Sequence, residues 1–225
     1  MKIADAVAYT LKTEGVENLI CYPRQMLIDA CARAGIKPIV CRQERVGVGI
    51  ADGISRSTYG KKIGVFAMQG GPGAENSFAG IAQTYADNVP IVVIPGDRVG
   101  RSFMAPSFDP IQNFEHVSKW GATLGEPKRV SEIMRRAFHA VKNGKPGPAI
   151  VELPSDVGDL EIPGIFEYSK VDKVRPGPDP KDIRRAAELL LKARCPMIIA
   201  GQGILYAGAT KELIKLAELI GAPVL

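Results

Sequence analysis

Metal ligands are scarce in this chain. Among 225 residues there are two histidines and four cysteines. The cysteines, Cys21, Cys31, Cys41 and Cys195, form no Cys-x-x-Cys pair, and no zinc spacing can be assembled from them. Cys21, Cys31 and Cys41 fall on apolar strand or helix positions and read as small core residues, which suits a reducing cytoplasm. Aromatic residues make up only 6% and the net charge is a mild +5. The densest basic cluster, Arg135-Arg136 with Lys142 and Lys145, reads as a solvated helix. Without a basic stripe or groove-reading aromatics, nucleic-acid binding is not expected. No apolar run approaches the ~20 residues that span a bilayer. The start, Met1-Lys2-Ile3-Ala4-Asp5-Ala6, has an early Asp and no signal-peptide core. Several catalytic signatures are missing too. There is no phosphate-binding Gly-x-x-x-x-Gly-Lys-[Ser/Thr] and no Gly-x-Ser-x-Gly elbow. His116 and His139 have no triad context and read as structural.

What is present is ordinary globular material, 46% hydrophobic and 24% charged, enough for one full domain and part of another. Strand and helix patterns alternate. Ile3, Val7 and Leu11 repeat at helical spacing before Gly15. Short apolar strands are predicted at 18–21, 38–41, 62–69, 90–95 and 148–153, with helices at 26–34, 45–59, 74–88 and 130–143 between them. The run 90–95 is wholly apolar, as expected of a central parallel strand covered on both faces. Short βαβα links imply an α/β fold, a doubly wound parallel sheet with right-handed crossovers. Two stretches break the rhythm. The first, 96–112, is long enough to be functional or mobile. The second holds Pro163, Pro176, Pro178 and Pro180 and reads as a linker. The predicted organisation is a domain at 1–162, a linker at 163–180, and at 181–225 a truncated start of a second domain, with a helix at 181–193, a strand at 196–200, a helix at 210–220 and a strand beginning at 223. A piece that small is not expected to bury a core alone.

The residue with most chemical promise is Glu44, which heads the run Glu44-Arg-Val-Gly-Val-Gly49-Ile50-Ala-Asp-Gly53-Ile54. It follows an apolar strand and precedes a helix, so it belongs at the carboxyl edge of the sheet, where open α/β folds bind ligands. A Glu at a helix start also suits the helix dipole. A second glycine turn follows one strand later, Gly70-Gly71-Pro72-Gly73-Ala74-Glu75-Asn76. It either admits a ligand to the backbone or only makes a tight strand-to-helix turn. Gly47-Val-Gly49 with Gly53 misses the dinucleotide fingerprint by one place. Gly201-Gln-Gly203 is a half-fingerprint that lacks its third glycine at Tyr206.

Taken together, the spacing from Glu44 through Gly49-Ile50 to Gly53-Ile54, Tyr22-Pro23 at the end of the first strand, Gly71-Pro72-Gly73-Ala74, Asn88-Val-Pro90 to Gly96, and Asp109-Pro-Ile-Gln112 resemble the pyrimidine-binding domain of thiamine-diphosphate (ThDP) enzymes. The acetolactate-synthase-like group is the most similar subfamily. The resemblance runs from about Lys2 to Leu225 and is most specific over 44–96.

The resemblance implies a ThDP-binding fold followed by a Rossmann-like central domain. It also implies a 2-oxo-acid carboligase acting on a substrate such as pyruvate. A 2-oxo-acid decarboxylase or lyase of the same superfamily is the alternative within enzymes, and a non-catalytic α/β dimerisation or regulatory module is the alternative outside them. Glu44 would be the catalytic acid that activates the cofactor's aminopyrimidine, since a carboxyl in an apolar surround can share a proton with a ring nitrogen. Tyr22, Pro23, Glu44, Pro72 and Asn76 would bind the cofactor. Gln112 would stand near the reacting carbonyl. Three departures from the family pattern leave the substrate open: Arg24-Gln25 after Tyr-Pro, Asp97 where Gln is common, and Pro110-Ile111 before Gln112. The family holds Mg²⁺ and the diphosphate through a Gly-Asp-Gly motif with a later Asn. Here Gly96-Asp97 continues as Arg98, so Mg²⁺ is expected on a domain absent from this chain, and no metal site is expected within it. The resemblance allows FAD in the central domain without leading us to expect it. It implies a homodimer or tetramer with active sites between subunits, and an isolated chain that is inactive.

Overall fold

The computed structural model describes residues 1–23, 26–96 and 108–225. Arg24, Gln25, Asp97 and most of the long 96–112 stretch therefore lie outside the described residues. Two compact units are present, Met1–Lys173 and Val174–Leu225.

The first unit is built on a six-stranded sheet of β1 (Asn18–Cys21), β2 (Lys37–Val40), β3 (Gly64–Gln69), β4 (Ile91–Gly96), β5 (Trp120–Thr123) and β6 (Ala149–Glu152). Their spatial order is β2-β1-β3-β4-β6-β5, and every pairing is parallel. Burial follows position. The inner strands β3, β4 and β6 are almost wholly buried, whereas β2 and β5 at the edges are half open. Alternation along each strand divides the core in two. Leu19, Cys21, Val65, Ala67, Val92 and Ile94 face α1 (Ile3–Thr13), α2 (Leu27–Arg33) and α6 (Val130–Lys142). Ile20, Phe66, Met68, Ile91 and Val93 face α3 (Glu44–Ser57) and α4 (Pro72–Ala86). The strand order reverses at β1, because the chain leaves it for β2 on one side and later returns to β3 on the other. The crevice outside the carboxyl ends of β1 and β3 is the switch point of the sheet.

Helix α3 lies unusually close to the sheet. A Cβ on Gly47 would sit 2.3 Å from the Phe66 ring, and one on Gly64 would sit 2.0 Å from the carbonyl oxygen of Ala51. Ser55 fixes the approach: its buried hydroxyl donates to Pro90 O at 2.5 Å and accepts from Gly64 N at 2.7 Å. Since the obstacle at Gly64 is backbone, it cannot rotate away. Gly64→Ala should destabilise the fold by at least the ~1–3 kcal/mol typical of overpacking, more than Gly80→Ala, whose Cβ meets the Val48 side chain at 3.0 Å. Denaturant unfolding of the two variants checks this order.

The domain does not end where the prolines begin. Residues 163–173 lie over the first unit, with Tyr168 and Val171 buried in its core. Tyr9 and Phe166 make an edge-to-face pair at 6.1 Å, and Ser131 Oγ donates to Glu167 O at 2.8 Å. The Glu14 carboxylate accepts from Tyr168 Oη at 2.5 Å and from Val171 N at 2.9 Å, and it pairs with the Lys142 ammonium. Lys142 therefore turns inward and does not join a solvated basic face.

The second unit holds α8 (Pro180–Lys192), α9 (Gly203–Ala207) and α10 (Thr210–Ile220), while α5 (Pro110–Asn113) and α7 (Ser155–Gly158) are short helices of the first. Asp179 caps α8 by accepting from Lys181 N at 2.8 Å, with Pro180 in the first turn. The strands expected at 196–200 and from 223 pair in parallel through a single bridge, Ile198 to Val224. Among the described residues, no helix is long and apolar enough to cross a membrane.

Candidate functional site

Glu44 is the first residue of α3, preceded by an extended Gln43. Its position follows from the short β2–α3 link, which turns the chain at the carboxyl edge of the sheet. Although it is a carboxylate, the residue is only 8% exposed. Among the described residues it forms no salt bridge. Its polar contact is with an amide: Asn76 Nδ2 donates to Glu44 Oε2 at 2.5 Å. The neighbouring Cys41 thiol is pushed up chiefly by burial, and the charge of Glu44 adds to that.

Helix α4 supplies the other wall. Gly71, its N-cap, has φ 57° and ψ −120°, a conformation that only glycine adopts without strain. Pro72 follows in the first turn. Gly73 comes next, and a Cβ there would lie 3.3 Å from Glu44 Oε1 and 3.3 Å from Gln69 Cγ. One of the two carboxyl oxygens is thus held by an amide. The other sits beside a position that carries no side chain. Buried Ser77 locks this turn, donating to Gly73 O at 2.8 Å and approaching Met68 Sδ at 3.2 Å.

The residues anticipated from sequence divide into two groups. Glu44, Pro72 and Asn76 come together at the start of α3 and α4. Tyr22 and Pro23 follow β1 at the same sheet edge, with Tyr22 half buried against the α3/α4 core and its N–H donating to Ala67 O at 3.0 Å. Gln112 is exposed in α5, whose start is capped by the Asp109 carboxylate accepting from Ile111 N and Gln112 N. Its link to α4 is indirect: the Phe114 ring lies tilted against Phe78 of α4, with centroids 5.9 Å apart, and against Phe108 at 5.3 Å. Sequence reasoning missed the contact between Asn76 and Glu44 and assigned Asn76 only to the ligand. An Asn early in a helix whose N-terminus faces a carboxylate is the signal that could have found it, because Asn is otherwise poorly placed inside helices.

A buried carboxyl with one oxygen held by an amide and the other beside a glycine turn fits the aminopyrimidine of ThDP, which needs a carboxyl at a ring nitrogen and close backbone approach. Among the described residues, no group of three or more His, Cys, Asp or Glu could hold a metal ion.

The chain matches the family model "Thiamine pyrophosphate enzyme, N-terminal TPP binding domain" over residues 1–109. It matches "Thiamine pyrophosphate enzyme, central domain" over residues 183–225. Thiamine pyrophosphate is the same molecule as ThDP. A probable acetolactate synthase large subunit of Methanocaldococcus jannaschii is 34% identical, covering 100% of this chain and 40% of that protein. The acetolactate synthase large subunit of Haemophilus influenzae is 29% identical over 98% of this chain and 40% of its own length. Glyoxylate carboligase of Escherichia coli O157:H7 is 32% identical over 100% of this chain and 39% of its own length. The chain therefore spans about 40% of the length of these relatives.

Proposed function

The chain carries ThDP-binding N-terminal and central-domain sequence homologous to the acetolactate-synthase-like family, and we propose that it works in a ThDP-dependent 2-oxo-acid carboligase, with Glu44 activating the cofactor. The observation that supports this most is the buried Glu44 carboxyl, with Oε2 taken by Asn76 and Oε1 beside Gly73. When bound, ThDP supplies a nucleophilic carbon and an electron sink for the 2-oxo acid. The part played by this chain is to present a carboxyl oxygen to the pyrimidine, exchange a proton there, and keep water from that carboxyl. Tyr22, Pro23 and Pro72 would flank the ring, and Gln112 would face the acceptor. The relatives are named as acetolactate synthases and as a carboligase, which favours ligation.

The rest of the site belongs to a domain with the diphosphate and Mg²⁺, contributed by another subunit of a homodimer or tetramer. The outer face of α3 suits such a partner. Val46 and Ile50 are 51% and 36% exposed there. Cβ atoms on Gly49 and Gly53 would meet nothing within 4 Å. Among the described residues nothing requires those two glycines, whereas a helix from another domain packed closely against them would.

Product analysis tests the assignment. The full-length protein, given ThDP, Mg²⁺ and pyruvate, should yield a new carbon–carbon bond. Free acetaldehyde as the sole product would assign it to the decarboxylases. Failure to bind ThDP at millimolar concentration would identify a non-catalytic module.

A further inference from the structure

We propose that Asn76 is the positioning residue of Glu44: its amide occupies Oε2, so the carboxyl presents a single oxygen, Oε1, and carries its acid proton there. This rests on the reading of Glu44 just given, and it changes the role of Asn76 from cofactor contact to control of the acid.

Both neighbours of the carboxyl come from α4. Gly73 and Asn76 are three residues apart and share a face of the helix. Asn76 Nδ2 lies 2.5 Å from Oε2, while the absent Cβ of Gly73 leaves space beside Oε1. An amide N–H can donate but cannot accept. An oxygen that receives it keeps its lone pair engaged and is the unfavourable place for the acid proton. The proton is thereby directed to Oε1. A Glu side chain has three rotatable bonds, and among the described residues no cation pairs with it. The Asn76 bond removes that freedom, and the helix making the bond is itself fixed by Ser77. A positioned proton donor gains its advantage from orientation held before the substrate arrives.

The test is a double-mutant cycle in the full-length protein with ThDP and Mg²⁺, using Asn76→Ala, Glu44→Gln and the pair, with ThDP affinity measured by calorimetry beside the kinetics. Asn76→Ala is expected to lower kcat by about 10–100-fold, to leave KM unchanged within about threefold, and to leave the ThDP dissociation constant within about threefold. In the Glu44→Gln background the same change should cost less than about twofold, because the group it positions has gone. Additive losses with weakened ThDP binding would overturn the proposal and return Asn76 to direct cofactor contact. Asn76→Asp separates donor from shape. The isostere replaces the donor with a second carboxyl beside Glu44, so activity should be lost at neutral and alkaline pH and recover in part as pH falls and one carboxyl of the pair takes up a proton. Full activity of Asn76→Asp at every pH would show that only the shape matters, and would overturn the proposal even if the Ala variant fails to fold. Near-normal turnover of Glu44→Gln alone would remove the reading of the site itself, a different failure from additivity in the cycle.

Discussion

Glu44→Gln in the full-length protein should reduce turnover by about 10²–10⁴-fold, the usual range for a positioned general acid or base. The substitution is nearly isosteric and the residue is 8% exposed, so little packing changes. The Gln carbonyl can still accept from Asn76 Nδ2, which now sits 2.5 Å from Oε2. That leaves the new NH₂ beside Gly73, where Oε1 stands in the native chain. The variant keeps the hydrogen bond from Asn76. It can donate to a ring nitrogen, but it cannot give up a proton or take one back. Melting temperature should stay within a few degrees of the parent and KM within a few-fold, with the loss concentrated in kcat. Steady-state kinetics with matched thermal melts decide the matter. A variant that keeps near-normal turnover would show that proton exchange at residue 44 is not part of the chemistry.

The main architecture could be read in the sequence because its physical determinants are local. Fully buried strands such as β4 read as unbroken apolar runs. The helix closed by Gly15 adopts positive φ at that glycine, where the sequence placed its end, and Gly35 and Gly60 do the same after their helices. β5 was missed because it is an edge strand, only half buried, and Trp120-Gly-Ala-Thr123 lacks the apolar density of its neighbours. The strap over 163–173 was taken for a linker because prolines suggested extended chain. Extended chain can still pack when two side chains, here Tyr168 and Val171, find a groove. Glu44 and Asn76 were each legible as candidates, but their contact was not. They are 32 residues apart, and only the parallel register of β1 between β2 and β3 brings the two helix starts together. Gly49 and Gly53 show the converse. The family pattern picked them out, and the described residues give no steric reason for them.

Lys142→Met should be among the most destabilising single changes outside the candidate site. The side chains of Glu14 and Lys142 are 0% and 12% exposed. Lys142 also donates to Val171 O at 2.8 Å, so the ammonium neutralises the carboxylate and holds the strap backbone at once. Burial, and next the hydrogen bond to Glu14, push the Tyr168 hydroxyl up; it therefore remains a neutral donor and cannot replace the lost charge. Removing the ammonium leaves Glu14 as an uncompensated buried charge, which costs about 3–5 kcal/mol. The unfolding midpoint in denaturant should fall accordingly with little change in slope. Protease cleavage within 163–173 should accelerate as the strap comes away. The double variant Glu14→Leu/Lys142→Met separates charge from packing. It deletes both ions and fills their space with apolar atoms, so it should recover most of the loss, because a buried ion pair commonly contributes little over a hydrophobic replacement. If the double variant is instead as unstable as Lys142→Met, then the hydrogen bonds to Tyr168 and to the Val171 backbone, rather than charge compensation, are what hold the strap on the domain.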